Sequence, residues 1–461
     1  MPSRKTSFHH RRASMCCLML LPALLLAAAQ AAAQWPQYLG PTGDAVSPET
    51  GLLEAWPEAG PPEAWQIELG PGFGGAAVHN GQVFLLDREH GESDVLRVLD
   101  LATGEELWRH SYEAMGRVGY EGSRSTPAVT EQHVFTTGEF GHLHAFNRAT
   151  RDVAWSVNLM EAYPGEREPE EEGGGRRRGR GGGRGGDNGQ NWGYGTNPLL
   201  VDDLVVVVSP PANTPGLVAY DQLTGEVAWE SEPFGCGNWY VSPLLKTIAD
   251  TRGIAIRTDV ELFFIDPDNG ETLFRTPVFE RGMIPIPPVT VLPDGERVFV
   301  TSGYEAGSVM LNVTRDADGG FQVEEVYRTV EGSQIHPGIA IDGHLYINHT
   351  ENSNSRGARQ RYAGLACVDL ATGEVKWNTG DDPFVGRGAI LYVDGKLILQ
   401  DAEGGKLFLI EPSPEGFRPI SSFQAVDAQQ RQAWAPLAIA DGRLLVRDQS
   451  GMKCFSLRED R

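Results

Sequence analysis

One nine-residue pattern, D-x-x-T-G-x-x-x-W, recurs along this chain and limits its fold more than any other feature. It appears as Asp100, Thr103, Gly104 and Trp108, then as Asp221, Thr224, Gly225 and Trp229, and again as Asp369, Thr372, Gly373 and Trp377. Two degenerate copies keep the spacing: Asn147, Thr150, Arg151 and Trp155, and Asp266, Asn269, Gly270 and Phe274. An apolar run such as Leu262-Phe263-Phe264-Ile265 precedes each copy. An Asp or Asn side chain accepts from backbone amides two residues on and opens a turn. Gly supplies the positive φ that a tight hairpin needs. A second short strand then ends on the aromatic, which is placed to pack between neighbouring sheets.

Two further apolar runs lie upstream of each hairpin, as at 125–129 and 134–137, or 339–341 and 345–347. Asn80-Gly81, Asp342-Gly343, Asp394-Gly395 and Asp441-Gly442 mark tight turns between such runs. The unit is four antiparallel strands in about 45 residues, the period of a propeller blade. Fourth-strand aromatics count the blades: Trp65, Trp108, Trp155, Trp229, Phe274, Tyr327, Trp377 and Phe423. Trp65 has no three strands before it, and residues 435–457 supply strands without a fourth. The expectation is an all-β, eight-bladed propeller of four-stranded antiparallel blades, closed by the N-terminal strand. Seven blades is the alternative, if the segment around Tyr327 is an insertion.

These repeats resemble those of pyrroloquinoline-quinone-type (PQQ-like) propellers. The opening Trp35-Pro36-Gln37-Tyr38-Leu39-Gly40-Pro41, with Gly51-Leu52-Leu53 and Trp56-Pro57, is similar to exported bacterial members. The resemblance spans about residues 35–457 and implies two classes of function. One is quinoprotein alcohol or sugar dehydrogenases; the other is non-enzymatic scaffolds such as the outer-membrane assembly factor BamB. Quinoprotein alcohol dehydrogenases set an adjacent Cys-Cys disulfide against the quinone and use a calcium site of Glu, Asn and Asp. The one Cys-Cys here is Cys16-Cys17 near the N-terminus, and there is no haem-attachment C-x-x-C-H. Sugar-oxidising relatives do without the disulfide.

The N-terminal residues read as an export signal. Arg4, Lys5, Arg11 and Arg12 precede an apolar stretch from Cys16 to Ala29, and Ala31-Ala32-Ala33 offers an A-x-A cleavage site. The stretch is too short to span a bilayer, and no other segment is long enough. The expected organisation is a signal peptide at 1–33, a lead-in at 34–64 and a propeller at 65–461. An exported monomer follows, periplasmic, envelope-bound or extracellular, without a transmembrane segment after cleavage. The formal charge of −23 argues against nucleic acid as a partner, because phosphates select Lys and Arg. Cleavage leaves Cys236, Cys367 and Cys454, expected as free buried thiols.

Residues 163–191 interrupt the repeat with an acidic run and an Arg-Gly run such as Gly175-Arg176-Arg177-Arg178-Gly179-Arg180. Such a stretch buries little apolar surface and is expected to be a disordered, solvated loop. The repeat phase places a ring of side chains at one mouth of the central channel: Arg124, Trp192, Tyr194, Asn238, Trp239, His336, Arg387 and Trp434. Aromatics with Arg there either plug the channel or stack and hydrogen-bond a planar or sugar ligand. His142 and His144 share one strand face, but no third metal ligand accompanies them. There is no G-x-S-x-G elbow and no P-loop. The expected function is binding or scaffolding of envelope protein partners through blade loops, with no catalytic residue, metal or cofactor. The alternative is a PQQ- and calcium-dependent alcohol or sugar dehydrogenase working at the channel mouth.

Overall fold

Each Asp-x-x-Thr-Gly segment folds as the turn its residues dictate. Asp100 Oδ1 accepts from the amides of Ala102 at 3.0 Å and Thr103 at 2.8 Å, and from the Thr103 hydroxyl at 2.9 Å. Asp221 and Asp369 repeat the set. Gly104, Gly225, Gly270 and Gly373 take φ between 71° and 78°, and in the degenerate copy Arg151 adopts φ 66°. Asp342, Asp394 and Asp441 also have positive φ, as do the glycines after them, so the inner hairpins are type I′ turns.

The computed structural model describes residues 34–164, 193–210, 214–234, 240–280, 284–350, 363–380, 382–427 and 432–459. Residues 1–33, where the sequence reads as an export signal, nearly all of the Arg-Gly insert and Cys236 lie outside them. The described strands form eight antiparallel sheets of four strands, with a fifth strand added to one. Blades 1 to 7 span 77–113, 128–158, 199–230, 244–277, 290–329, 339–378 and 390–424. Blade 8 spans 438–456 and takes its fourth strand from Glu63–Glu68, with Trp65 opposite Cys454. The count is therefore eight, and the N-terminal strand closes the ring. First strands of neighbouring blades touch one another, which puts them innermost. Among the described residues the one helix is the short Leu159–Ala162, capped by Asn158.

The core lies between blades. Val206 and Trp229 of blade 3, for instance, pack with Ile254, Ile256 and Phe263 of blade 4. The repeat aromatics make these interfaces specific. Trp65 Nε1 donates to the carbonyl of Leu101, Trp155 to Gln222 and Trp229 to Pro267, at 2.9 to 3.1 Å. Each acceptor directly follows the turn Asp of the next blade. The same ring covers the turn glycine there: Gly104 faces Trp65, Gly225 faces Trp155 and Gly270 faces Trp229. Cys367 and Cys454 are free and buried; they sit in the third strand opposite Trp377 and Trp65.

The lead-in runs under the ring. Trp35 pairs with Val78 of blade 1, and the Pro36 carbonyl accepts from Val129 of blade 2. Lys246 of blade 4 donates to the carbonyls of Thr42 and Gly43. Val46–Ser47 then joins the inner edge of blade 7 in parallel, opposite Tyr392 and Val393. These contacts fall at the far ends of the inner strands, so the lead-in closes the channel end opposite the predicted mouth.

Candidate functional site: a cup at the channel mouth

Loops entering the inner strands surround a cavity of about 140 Å³. Four of the sequence-predicted residues line it: Arg124, His336, Arg387 and Trp434. Trp192, Asn238 and Trp239 lie outside the described residues. Tyr194 is a correction to the repeat-phase reading. It is fully buried, its hydroxyl donates to the Val208 carbonyl at 2.6 Å, and its neighbour Gly195 lines the cup instead. Phe73, Tyr120, Tyr240, Tyr304 and Gln334 also line the cavity and were not expected there. Tyr38 of the lead-in reaches it as well, which makes the channel a blind cup.

One wall is a four-layer stack taken from four consecutive blades. The Arg124 guanidinium lies 5.7 Å from the Phe73 ring centre. Phe73 stacks on Trp434 at 5.1 Å with planes 28° apart, and the Arg387 guanidinium lies 4.7 Å from the Trp434 ring. These residues lead into blades 2, 1, 8 and 7. Cation–π contacts of this kind are worth about 0.5–2 kcal/mol, more as water is excluded. Arg124 is fixed further by the carbonyls of Gly119, Tyr120 and Gly122, and Arg387 Nε donates to Gln334 Oε1 at 2.7 Å.

Behind Arg124 is a buried charge cluster. Glu139 Oε2 meets Arg124 at 3.3 Å, and its other oxygen meets Arg88 Nε at 2.5 Å. Arg88 Nη1 reaches Asp94 at 2.9 Å. Two cations and two carboxylates cancel, so the cluster adds no net charge to the cup. Burial pushes the Asp94 carboxyl up to about 6 despite Arg88, and raises Glu139 against the pull of both arginines. His336, 2 % exposed, is driven down to about 4 by burial, partly offset by a hydrogen bond with the Trp434 backbone. It is neutral at physiological pH.

Three polar atoms of the lining are buried without a partner among the described residues: Tyr240 Oη, His336 Nε2 and Trp434 Nε1. They come from blades 4, 6 and 8. Buried polar atoms normally find partners, so each points to a missing one.

The family described as outer membrane protein assembly factor BamB matches residues 91–379, more than half of the chain. The chain belongs to the BamB family. Solved structures agree on the fold. BamB from Moraxella catarrhalis superposes with a TM-score of 0.56 at 14% identity, covering 86% of this chain and 99% of that one. A europium-containing methanol dehydrogenase gives 0.61 at 12%, covering 91% and 90%. The quinohemoprotein alcohol dehydrogenase from Comamonas testosteroni gives 0.59 at 12%, covering 93% and 81%. No curated protein sequence matches the chain. In this BamB-family member no Asp or Glu lines the cup among the described residues, and no group of three or more His, Cys, Asp or Glu is placed to hold a metal ion. The cavity is also small beside the ~300–1,000 Å³ of pockets for drug-sized ligands. The described side chains therefore do not fit a calcium-bound tricyclic quinone.

Proposed function

We propose that this protein is an exported, non-enzymatic propeller of the bacterial envelope that holds protein partners in outer-membrane protein assembly. One observation carries the reading. The described lining of the mouth offers stacking surfaces and hydrogen-bonding groups, but no carboxylate to move a proton or hold a cation. Its one imidazole, held near 4, is a weak general base at neutral pH. Family membership supports the same direction. Exposed Met115 and Val330, on loops leading into blades 2 and 6, give partners apolar contacts on the mouth face.

Photo-crosslinking residues placed at 115 and 330 in living cells test this. The expected result is a discrete adduct with an outer-membrane assembly component. The alternative, a PQQ-dependent alcohol or sugar dehydrogenase, draws on the fold shared with the methanol dehydrogenase at TM-score 0.61. Dye reduction on adding quinone, calcium and an alcohol or sugar would establish it and overturn the scaffold reading.

A further inference from the structure

We infer that the cup binds a single-ring phenol that carries a second oxygen at the far end of its ring. The three buried, unpartnered atoms set the polar requirements. Trp434 Nε1 is a donor only and demands an oxygen. The hydrogen bond of His336 to the Trp434 backbone keeps the ring proton on that side, so Nε2 is left as an acceptor that demands an O–H or N–H. The two residues touch, and one hydroxyl serves both, because it has a proton to give and lone pairs to receive. A phenol keeps that proton at neutral pH and is a stronger donor than an alkyl alcohol. Tyr240 Oη is unpartnered on the opposite wall: Tyr240 leads into blade 4 and Trp434 into blade 8, which face each other across an eight-blade ring. Its hydroxyl pairs with a donor or an acceptor, and an alcohol oxygen is either. A ligand must therefore be polar at both ends.

The body of the ligand follows from the rest of the lining. Ile284, Ile286, Ile335 and the Tyr38 floor are apolar and call for a hydrophobic middle between the two polar ends. Phe73 and Trp434 in the same wall favour an aromatic one. A cavity of about 140 Å³ takes one ring, not three. Water molecules would satisfy the polar ends but leave the isoleucine walls wet, and apolar recesses stay dry. The two arginines of the cup are engaged by the protein itself. Arg124 is held by Glu139 and three carbonyls, and Arg387 by Gln334 and the Trp434 ring. The selection therefore rests on where hydroxyls are placed, and no charge on the ligand enters it.

The inference rests on reading the mouth as a binding face, and calorimetry on the full chain tests it. The probes are 4-hydroxybenzyl alcohol, which has both oxygens, p-cresol, which lacks the far one, and 4-methylanisole, which keeps an acceptor but has no O–H to give His336. 4-Hydroxybenzyl alcohol is expected to bind tightest, with p-cresol about tenfold weaker and 4-methylanisole about tenfold weaker again. Tyr240→Phe deletes one oxygen and should bring 4-hydroxybenzyl alcohol down to the level of p-cresol, with p-cresol itself unchanged. His336→Asn should erase the preference for p-cresol over 4-methylanisole. If His336→Asn fails to fold by circular dichroism, the probe series and Tyr240→Phe still decide. No heat with millimolar 4-hydroxybenzyl alcohol, equal binding of all three probes, or an unaffected Tyr240→Phe would overturn the assignment. Binding in the expected order without partner crosslinks from 115 and 330 would uphold the cup and sink the scaffold reading. Crosslinks without probe binding would do the reverse.

Discussion

Gly225 sits directly beneath the indole of Trp155: a Cβ at residue 225 would lie 2.6 Å from the ring. The same indole donates to the Gln222 carbonyl at 3.0 Å, so one side chain of blade 2 reads both the shape and the polarity of the blade 3 turn. Gly225→Ala adds left-handed strain to a steric clash and should cost about 2–4 kcal/mol. Gly395 has a similar φ of 73° but open space around it, so Gly395→Ala should cost only about 1–2 kcal/mol. Urea unfolding of the two variants separates blade docking from backbone strain; equal losses would contradict it.

Glu139 bridges Arg88 and Arg124 with both oxygens buried. Glu139→Gln leaves two buried guanidinium groups short of a counter-charge and should destabilise by about 3–5 kcal/mol. Glu106→Gln removes the half-exposed partner of Arg97 and should cost less than about 1 kcal/mol. Both follow from chemical denaturation at neutral pH.

His336 gives acid sensitivity. Its folded value near 4 lies below the usual imidazole value of 6.5, so the unfolded chain binds the extra proton between those limits. The stability it contributes is complete above pH 6.5 and is lost as pH falls towards 4, by up to about 3 kcal/mol. Asp94, raised to about 6, acts in the opposite sense over part of that range. His336→Gln should flatten the wild-type decline between pH 6.5 and 4 in a denaturant series; an unchanged slope would count against the assignment.

Ring closure rests on Glu63–Glu68 against Gly451–Ser456. A chain ending at residue 450 leaves Glu63–Glu68 and the inner pair of blade 8 with open edges. We expect it to lose cooperative unfolding and to associate with rising concentration by light scattering.

Blade count and closure were legible because a fixed spacing from turn Asp to aromatic reports strand phase directly. Why the spacing is strict appears only in three dimensions, where the indole must reach both a glycine and the next carbonyl. The cup was half legible. Arg124 and Trp434 stand four residues before their inner strands and His336 and Arg387 three; Phe73 and Tyr240 share the four-residue offset, so a strict count of phase would have found them, whereas Tyr304 comes from a hairpin between the second and third strands. Tyr194 stands five residues before its inner strand and Gly195 four, so Gly195 holds the lining phase while the Tyr194 hydroxyl is buried against the Val208 carbonyl. The route of the lead-in under the channel carries no periodic signal, so Tyr38 could not be placed.

Closing a ring with its first strand also sets a timetable. Glu63 meets its ion-pair partner Lys453 across 390 residues of sequence. At about 5–20 residues per second, synthesis leaves Glu63–Glu68 without its partner for roughly 20–80 s. Through that interval seven blades are available but the circle is open, with a sticky strand at the earliest end of the nascent chain. Whatever shelters that strand until the ribosome finishes decides how much of the protein reaches its native ring.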